Sequence, residues 1–329
     1  MDTLLATVLD RVAGKSPVLE GASPFVSRKE AEAISLLPAE NRMDIVSLAG
    51  MVRAKCAPGW FRCGIVNAKS GRCAENCAFC AQSAHHDTGV AVYPFMTADE
   101  IVERARKAKE YGAERFGIVT SGTSLPEKDI AELCRAVERI CSELGMGVCG
   151  SLGMLTPERA ERFRAAGMTR YHHNLETAES FFPHICSTHA YEEDINSVKA
   201  ALGAGMEVCS GGIIGLGESR EQRVELAFTA AELGVTSIPL NFLIAVPGTR
   251  LENQPRLCAE EALRAIAVFR LINPSRDILI AGGRSHVLGS LESWIFAAGA
   301  NGMMVGDYLT KPGASPDSDA AMMRSLGVM

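Results

Sequence analysis

The sequence is short of aromatic residues (6%), has no block of consecutive Lys or Arg residues, and has no long apolar run. A membrane span requires roughly 18 uninterrupted apolar residues, so the chain is not expected to cross or enter a membrane. Its 33 basic and 39 acidic residues give a formal charge of −6. Because phosphate binding needs clustered positive charge, DNA and RNA are not expected partners. The 47% apolar content of the 329 residues is enough for a large core and excludes disorder.

The N-terminus also lacks the basic region that opens a secretory signal. The first ten residues carry Asp2 and Asp10 instead of basic residues, so we expect the chain to stay in the cytoplasm. The sequence nevertheless contains 11 cysteines. Cytoplasmic thiols are kept reduced, so clustered cysteines indicate metal binding or catalysis in preference to a disulfide framework.

From about residue 60, short apolar runs alternate with amphipathic stretches, as in repeated strand–helix units of a parallel sheet. Thr97 and Thr156 precede helix-forming segments as capping residues, and glycines follow several of these segments. Eight units over some 245 residues predict a TIM-type (β/α)8 barrel of the α/β class at 56–315, with an N-terminal helical extension at 1–55 and a C-terminal tail at 316–329. An open doubly wound sheet is the alternative, but GxGxxG is missing. The predicted strands are 62–67, 115–120, 146–151, 169–174, 206–213, 236–243, 277–281 and 302–305.

The loop after the first predicted strand carries a CxxxCxxC motif formed by Cys73, Cys77 and Cys80. Three thiolates within eight residues indicate a site for a soft metal. A structural zinc site remains an alternative, although such sites take four ligands and no second CxxC or His pair follows. Three ligands would instead leave one iron of a four-iron cluster open to a small molecule.

This motif, with Phe79 before its last cysteine and a place after the first barrel strand, resembles that of the radical S-adenosylmethionine (SAM) enzymes. The resemblance implies a [4Fe-4S] cluster held by Cys73, Cys77 and Cys80. SAM would chelate its open iron, and an electron from the cluster would cleave SAM to a 5′-deoxyadenosyl radical.

Further segments, spread over about residues 60 to 312, resemble the biotin synthase family. The resemblance implies sulfur insertion into dethiobiotin, with sulfur from an auxiliary iron–sulfur cluster, a flavodoxin or ferredoxin electron donor, and a homodimer. The segments that carry it are CAQS at 80–83, YHHNLET at 171–177, VCSGGIIGLGE at 208–218, PLN at 239–241, PGT at 247–249 and AGGR at 281–284.

The chain departs from this family at the auxiliary cluster, which is usually a [2Fe-2S] cluster held by three Cys and one Arg. Cys149 and Cys209 match two of the ligands, but Gly117 and Leu279 stand at the other two positions. Alternate strands of a TIM barrel share a layer of inward side chains. Cys63 on the first strand therefore completes a predicted three-cysteine site, which suits a four-iron cluster with an extra sulfide better than a two-iron cluster. The alternative is that these thiols only pack in the core.

The resemblance also assigns residues to substrate and cofactor. Asn174 and Asn241 match positions that bind the ureido ring of dethiobiotin, and an amide suits a urea because it both donates and accepts. Thr310 matches a carboxylate-binding segment. The acidic residue that contacts the SAM ribose is matched by Glu176, and the glycine-rich turn that approaches SAM ends at Gly217 and Glu218.

Two other functions stay open from the sequence. One is another radical SAM reaction, as in methylornithine synthase or a hydrogenase maturase, and the other is a zinc-stabilised scaffold. His172, His173 and His189 receive no role. The remaining cysteines are expected to bind no metal: Cys134 and Cys141 pack on one helix face, Cys186 and Cys258 lie in loops or at helix starts, and Cys56 is unassigned.

Overall fold

The computed structural model of the chain describes residues 1–306, 309, 313 and 315–327. Within these residues the chain forms nine parallel strand segments. They are β1 (Phe61–Lys69), β2 (Arg115–Thr120), β3 (Gly147–Ser151), β4 (Arg170–His172), β5 (Glu207–Cys209), β6 (Gly212–Ile214), β7 (Ser237–Phe242), β8 (Asp277–Ile280) and β9 (Gly302–Met304).

Thirteen α-helices are seen in the same residues, with short 3₁₀ turns at 39–41 and 289–291 and a π turn at 140–144. The helices are α1 (Thr3–Val12), α2 (Arg28–Leu36), α3 (Arg42–Cys56), α4 (Ala98–Glu110), α5 (Glu127–Arg139), α6 (Pro157–Ala165), α7 (Phe182–Ile185), α8 (Tyr191–Gly203), α9 (Arg220–Leu233), α10 (Ala259–Ile272), α11 (Arg284–Leu288), α12 (Trp294–Ala297) and α13 (Pro316–Ser325). No helix among the described residues is both long and apolar enough to cross a membrane.

The sheet closes into a barrel, which confirms the predicted fold and excludes the open doubly wound alternative. Neighbouring strands pair in the order β5-β4-β3-β2-β1-β9-β8-β7-β6, and β5 also pairs with β7. Eight barrel strands result, because β5 and β6 are two halves of one strand with a continuous register against β7. The predicted strand at 206–213 is therefore interrupted at Gly211, whose missing side chain allows the Pro239 carbonyl to approach: a Cβ there would lie 2.1 Å from the Pro239 oxygen.

Local signals set the helix ends as the sequence predicts. Thr97 accepts a hydrogen bond from the Glu100 amide in a capping box, and Thr156 caps α6 ahead of Pro157. Gly145 and Gly234 end their helical stretches in the left-handed conformation, with φ of 62° and 73°. Such a conformation is strained for residues with a side chain.

The N-terminal helices lie outside the barrel, where α3 packs on α10 and α2 on α9. The predicted boundary after residue 55 lies at the end of α3, and it stays a prediction. The C-terminal segment is not only a tail, because it contains α13. Asp319 of this helix is buried and accepts a 2.5 Å hydrogen bond from Arg284, which is also buried.

Candidate active site

A cavity of about 330 Å³ occupies the barrel interior and its mouth. Most of the sequence-predicted site residues line it, together with groups from the loops at the carboxyl ends of the strands, where barrel active sites lie. The predicted residues in the lining are Cys63, Cys73, Cys77, Cys149, Asn174, Glu176, Cys209 and Asn241.

The CxxxCxxC loop is fixed by hydrogen bonds from its own ends. The Cys73 amide donates to the Gln82 carbonyl at 3.0 Å, and the Ala84 amide donates to the Cys73 carbonyl at 2.7 Å. The Gln82 side chain accepts from Asn67 at 3.1 Å, which attaches the loop to β1. The loop therefore holds its three thiols in place through backbone contacts, without using the sulfur atoms.

Within this loop the three thiols are half-buried and unpaired. Burial foremost, and also the neighbouring Cys73 thiol, raises the pKa of Cys80 to about 11. Cys77 and Cys73 face the cavity, whereas Cys80 is not part of its lining among the described residues. Three free thiols within eight residues are the donor set that an iron–sulfur cluster requires.

Cys186 lies beside this loop, a contact that the sequence did not predict. It is buried, and its Sγ lies 3.9 Å from the Cys77 Sγ. Cys186 lies in a loop, as expected. Its contact with Cys77 could not be read from the sequence, because 109 residues separate the two cysteines. The hydrogen bond with Cys77 lowers the pKa of Cys186 and raises that of Cys77. Cys258 is exposed and caps α10, in agreement with its predicted place at a helix start.

Two histidines form a network with acidic groups around Cys186. His189 contacts Glu75 at 2.7 Å and Asp194 at 3.3 Å, and His173 contacts Asp194 at 2.8 Å. The hydrogen bond with Asp194 foremost, and that with Cys186, raise the pKa of His189 to about 11. Glu75 comes from the cysteine loop and Asp194 from α8, so the network ties that loop to the far side of the mouth.

The register of the strands places Cys63, Cys149 and Cys209 in one layer. In the strand register, the Cα partner of Cys149 on β4 is Arg170, and the Cα partner of Arg170 on β5 is Glu207. Cys209 therefore lies two residues beyond the β5 residue that is in register with Cys149. An eight-stranded barrel with a shear of 8 staggers by about one residue per strand, so an offset of two across two strands restores the same height.

The same offset closes the layer around the barrel. Cys63 pairs with Arg115 and Arg115 with Gly147, two residues before Cys149. On the other side, Cys209 pairs with Ser237 and Ser237 with Asp277, two residues before Leu279. The three thiols and Leu279 therefore lie in one inward layer of four, while the role of the thiols as cluster ligands stays a prediction.

The thiols of this layer lie inside the barrel, where Cys209 is buried and Cys63 and Cys149 are half-buried toward the cavity. Burial foremost, and then the nearby Cys209, raises the pKa of Cys63 to about 12. Burial also raises the pKa of Cys149 and of Cys209. A buried thiolate is stable only beside positive charge or a metal. These three cysteines are therefore either neutral thiols packed in the core or thiolates bound to a metal.

Positive charge lies directly below the thiol layer, a feature that the sequence analysis missed. Arg170 is buried, and it forms ion pairs with Glu207 at 2.8 Å and with Asp277 at 3.9 Å. Arg115 pairs with the same Glu207 at 3.2 Å. The nearby Arg170 opposes the rise in the pKa of all three thiols. Arg170 and Arg115 therefore favour negative charge in the thiol layer above them.

At the mouth, Asn174 and Glu176 share one turn. Asn174 donates to Glu176 at 3.3 Å, while the buried Asn174 Oδ1 has no partner among the described residues. Burial, and also Asp194, raises the pKa of Glu176 to about 8. Asn241 accepts from the Gly282 amide at 2.9 Å and donates to the Gly212 carbonyl at 3.4 Å. The two amides thus lie at one mouth, with Asn174 the less satisfied.

The remaining predicted residues differ in position. Glu218 is buried and accepts from the Gly215 amide at 2.9 Å and from Arg223 at 2.7 Å, so it stabilises its own turn. Among the described residues, neither Gly217 nor Glu218 lines the cavity, and their cofactor role stays a prediction. Thr310 lies outside the described residues.

The closed barrel with a three-cysteine loop after its first strand defines a radical SAM enzyme. A model of the Radical SAM superfamily matches residues 68–230, and a model of the Biotin and Thiamin Synthesis associated domain matches residues 239–329. Solved structures of similar fold include methylornithine synthase, with a TM-score of 0.78 and 18% identity over 98% of this chain and 96% of that one. The FeFe-hydrogenase maturase of Carboxydothermus hydrogenoformans has a TM-score of 0.81 and 16% identity over 98% of this chain and 78% of that one.

Sequence identity narrows the class to one family. The chain is 52% identical to a biotin synthase of Nitratidesulfovibrio vulgaris over 305 residues, which cover 92% of this chain and 84% of the relative. It is 47% identical to a biotin synthase of Syntrophus aciditrophicus over 323 residues, 98% of this chain and 99% of the relative. The chain belongs to the biotin synthase family. The family implies a [4Fe-4S] cluster, SAM and an auxiliary cluster.

Proposed function

We propose that this enzyme converts dethiobiotin to biotin by radical SAM sulfur insertion, with the sulfur supplied by a cluster on Cys63, Cys149 and Cys209. The observation that carries the proposal is that thiols from two separate sets line one cavity: Cys73 and Cys77 from the first set, and Cys63, Cys149 and Cys209 from the second. One set lies on a loop at the mouth, and the other forms a layer inside the barrel. The substrate would lie between them, beside Asn174 and Asn241.

Cys73, Cys77 and Cys80 would hold the [4Fe-4S] cluster at the mouth. When bound, this cluster and SAM supply hydrogen-atom abstraction from an unactivated C–H bond. Glu176 lines the cavity on the same side and would accept hydrogen bonds from the SAM ribose. The closed barrel wall excludes water from the space below, which protects a reactive carbon centre.

Asn174 and Asn241 would orient the ureido ring of the substrate. The unpartnered Asn174 Oδ1 supports this role, because a buried acceptor is normally satisfied, and a urea N–H would satisfy it. Asn241 already bonds to two backbone groups, so its position is fixed before the substrate arrives. Thr310 would bind the carboxylate of dethiobiotin.

The inner layer fits a four-iron cluster better than a two-iron one. It offers three thiols, and the fourth place of the layer is taken by Leu279, which cannot bind iron. A [2Fe-2S] cluster needs four protein ligands, whereas a four-iron cluster can keep one iron for an extra sulfide. Arg170 and Arg115 below would offset the negative charge of such a cluster. Cys209 is buried, whereas Cys63 and Cys149 are half-buried and face the cavity inside the barrel, where a sulfur source would be sheltered.

Iron and sulfide analysis of anaerobically reconstituted protein tests the cluster assignment. We expect about eight irons per chain, falling to about four in Cys149→Ala. The matched control is Cys141→Ala, a half-buried thiol near the Gly167 carbonyl and outside the cavity, which should keep the full iron content. About four irons in the wild type, unchanged by Cys149→Ala, would contradict the assignment.

Activity is tested by anaerobic incubation with dethiobiotin, SAM and a reductant, followed by mass spectrometry. Biotin is the expected product. Formation of 5′-deoxyadenosine without biotin would favour a reaction like that of methylornithine synthase or the hydrogenase maturase. A colourless protein that contains zinc would contradict the proposed radical SAM activity and favour a zinc-stabilised scaffold.

By the same family relation we propose a flavodoxin or ferredoxin as electron donor, a homodimer, and a place in the cytoplasm. A place in the cytoplasm suits the 11 cysteines, because thiols there are kept reduced. Light scattering of the purified protein would measure the oligomeric state.

A further inference from the structure

Strand β4 presents an inward stripe of alternate residues: Arg170, His172 and, just beyond its end, Asn174. All three line the cavity. In the strand register, Arg170 is the Cα partner of Cys149 on β3, and His172 is the Cα partner of Cys209 on β5. With the stagger of about one residue per strand, Arg170 lies one step below the thiol layer and His172 one step above it. His172 therefore lies between the proposed sulfur source and the Asn174 amide.

The other residues at the height of His172 cannot donate hydrogen bonds to the cavity from their side chains. They are Gly117, Pro239 and Met304, each of which lines the cavity and is placed by the same register. The nearest hydroxyl in the lining on a neighbouring strand is that of Ser151, one step higher. Arg170 is already held by Glu207 and Asp277. His172 is thus the polar side chain placed directly above the three thiols.

The His172 imidazole has no hydrogen-bond partner in the described part of the chain, whereas its neighbour His173 is bonded to Asp194. His172 is half-buried and lines the cavity, so its ring nitrogens are free to bond a group held there. His172 and Cys209 are Cα partners across β4 and β5, and both residues line the cavity.

We propose that His172 donates a hydrogen bond to the sulfur that the auxiliary cluster presents to the substrate. This inference rests on the proposed function. His172 is a positioning residue: its N–H would hold the sulfur on the side of Asn174 and would disperse negative charge. Hydrogen bonds to cluster sulfurs raise the reduction potential of the cluster. The cluster would then have the positive charge of Arg170 on one side and the hydrogen-bond donor of His172 on the other.

The test measures the reduction potential of the auxiliary cluster alone. The background is the full chain with Cys73→Ala, Cys77→Ala and Cys80→Ala, which removes the ligands of the SAM cluster. His172→Leu is expected to shift the potential to more negative values, and His172→Asn, which keeps an N–H donor, should restore part of the shift. Met304→Leu, in the same layer, is the packing control and should leave the potential unchanged.

The outcomes separate this inference from the proposed function. If the background variant holds no iron, the auxiliary cluster itself is absent and the proposed function fails. If it holds about four irons but His172→Leu leaves the potential unchanged, only the role of His172 is overturned. A potential that shifts equally in Met304→Leu would also overturn that role, because packing would then explain the effect.

A second measurement decides the case if His172→Leu does not assemble a cluster. In the same background, with otherwise native residues and ¹⁵N-labelled histidine, pulsed EPR should detect a weak nitrogen coupling transmitted through the hydrogen bond. A strong coupling would identify His172 as an iron ligand and overturn the inference. The absence of any coupling would overturn it as well.

Discussion

Glu176 is a cavity-facing carboxyl group with a left-handed backbone (φ 62°) and a pKa raised to about 8. Its unfolded pKa is near 4.5, so between these values the unfolded chain has released a proton that the folded chain still holds. The unfolded state then binds fewer protons, and stability falls as the pH rises from about 4.5 to about 8.

Replacing Glu176 with Gln removes this ionisation without changing the side-chain length. We expect the apo Glu176→Gln protein to have a free energy of unfolding about 4–5 kcal/mol above wild type at pH 9 and within about 1 kcal/mol of it at pH 5. Urea denaturation at the two pH values measures it. Glu179→Gln, an exposed neighbour, is the control. Parallel stability curves for wild type and Glu176→Gln would contradict the burial of this carboxyl group.

Asn174 provides the second residue-scale prediction, because its buried Oδ1 lacks a partner among the described residues. If the ureido ring supplies that partner, Asn174→Ala loses one hydrogen bond, worth about 1.4 kcal/mol, or about tenfold in affinity. Calorimetric titration with dethiobiotin on SAM-loaded, cluster-containing protein measures the change. The exposed Asn196→Ala should bind as the wild type does. Equal affinity in the two variants would assign Asn174 to the turn alone.

At the scale of elements, helix α13 is attached to the barrel by a buried ion pair. Arg284 is fully buried and contacts both Asp319 of α13, at 2.5 Å, and Glu292, at 3.1 Å. Removing one partner leaves the other charge buried, which costs about 3–5 kcal/mol. We expect Arg284→Met to release the helix locally, because separation exposes Asp319 to water at a lower cost than unfolding of the barrel.

Hydrogen exchange by mass spectrometry checks this expectation. Exchange over 316–325 should rise strongly in Arg284→Met, and exchange in β2 and β3 should not change. Arg28→Met is the control, because its 3.3 Å pair with Glu232 is exposed and such pairs contribute little. Unchanged protection of α13 in Arg284→Met would show that apolar packing alone holds the helix.

At the scale of the whole molecule, the features that could be predicted from sequence are those set by local or periodic signals. Thr97 and Gly145 mark helix ends through contacts within a few residues. The thiol layer followed from strand periodicity, so Cys63 could be placed beside two cysteines far from it in the chain. The contact of Cys186 with Cys77 could not be predicted, because two loops determine it. The position of Arg170 below the thiol layer could not be predicted either, because it depends on acidic partners from β5 and β8.

The two sets of thiols should also respond separately to loss of metal. The mouth loop is tied to the segment before α8, since the Ala78 amide donates to the Ile185 carbonyl at 2.9 Å and the Asn76 side chain donates to Ser187 at 2.8 Å. The inner layer belongs instead to the strands. In Cys77→Ala, hydrogen exchange should therefore increase over 70–88 and 181–190 but not in β3 or β5.

In Cys149→Ala the pattern should reverse: exchange should rise in β3 and β5, while the mouth loop keeps its protection as long as SAM is present. Both variants are compared with the anaerobic, cluster-loaded wild type, and Cys141→Ala serves as the control for loss of a thiol that binds no metal. If Cys77→Ala loosens β3 and β5 as much as Cys149→Ala does, the two sites share one cluster or one folding unit. If the proposed cluster on the inner layer supplies the sulfur, this separation would let it be rebuilt inside the barrel without dismantling the SAM site at the mouth.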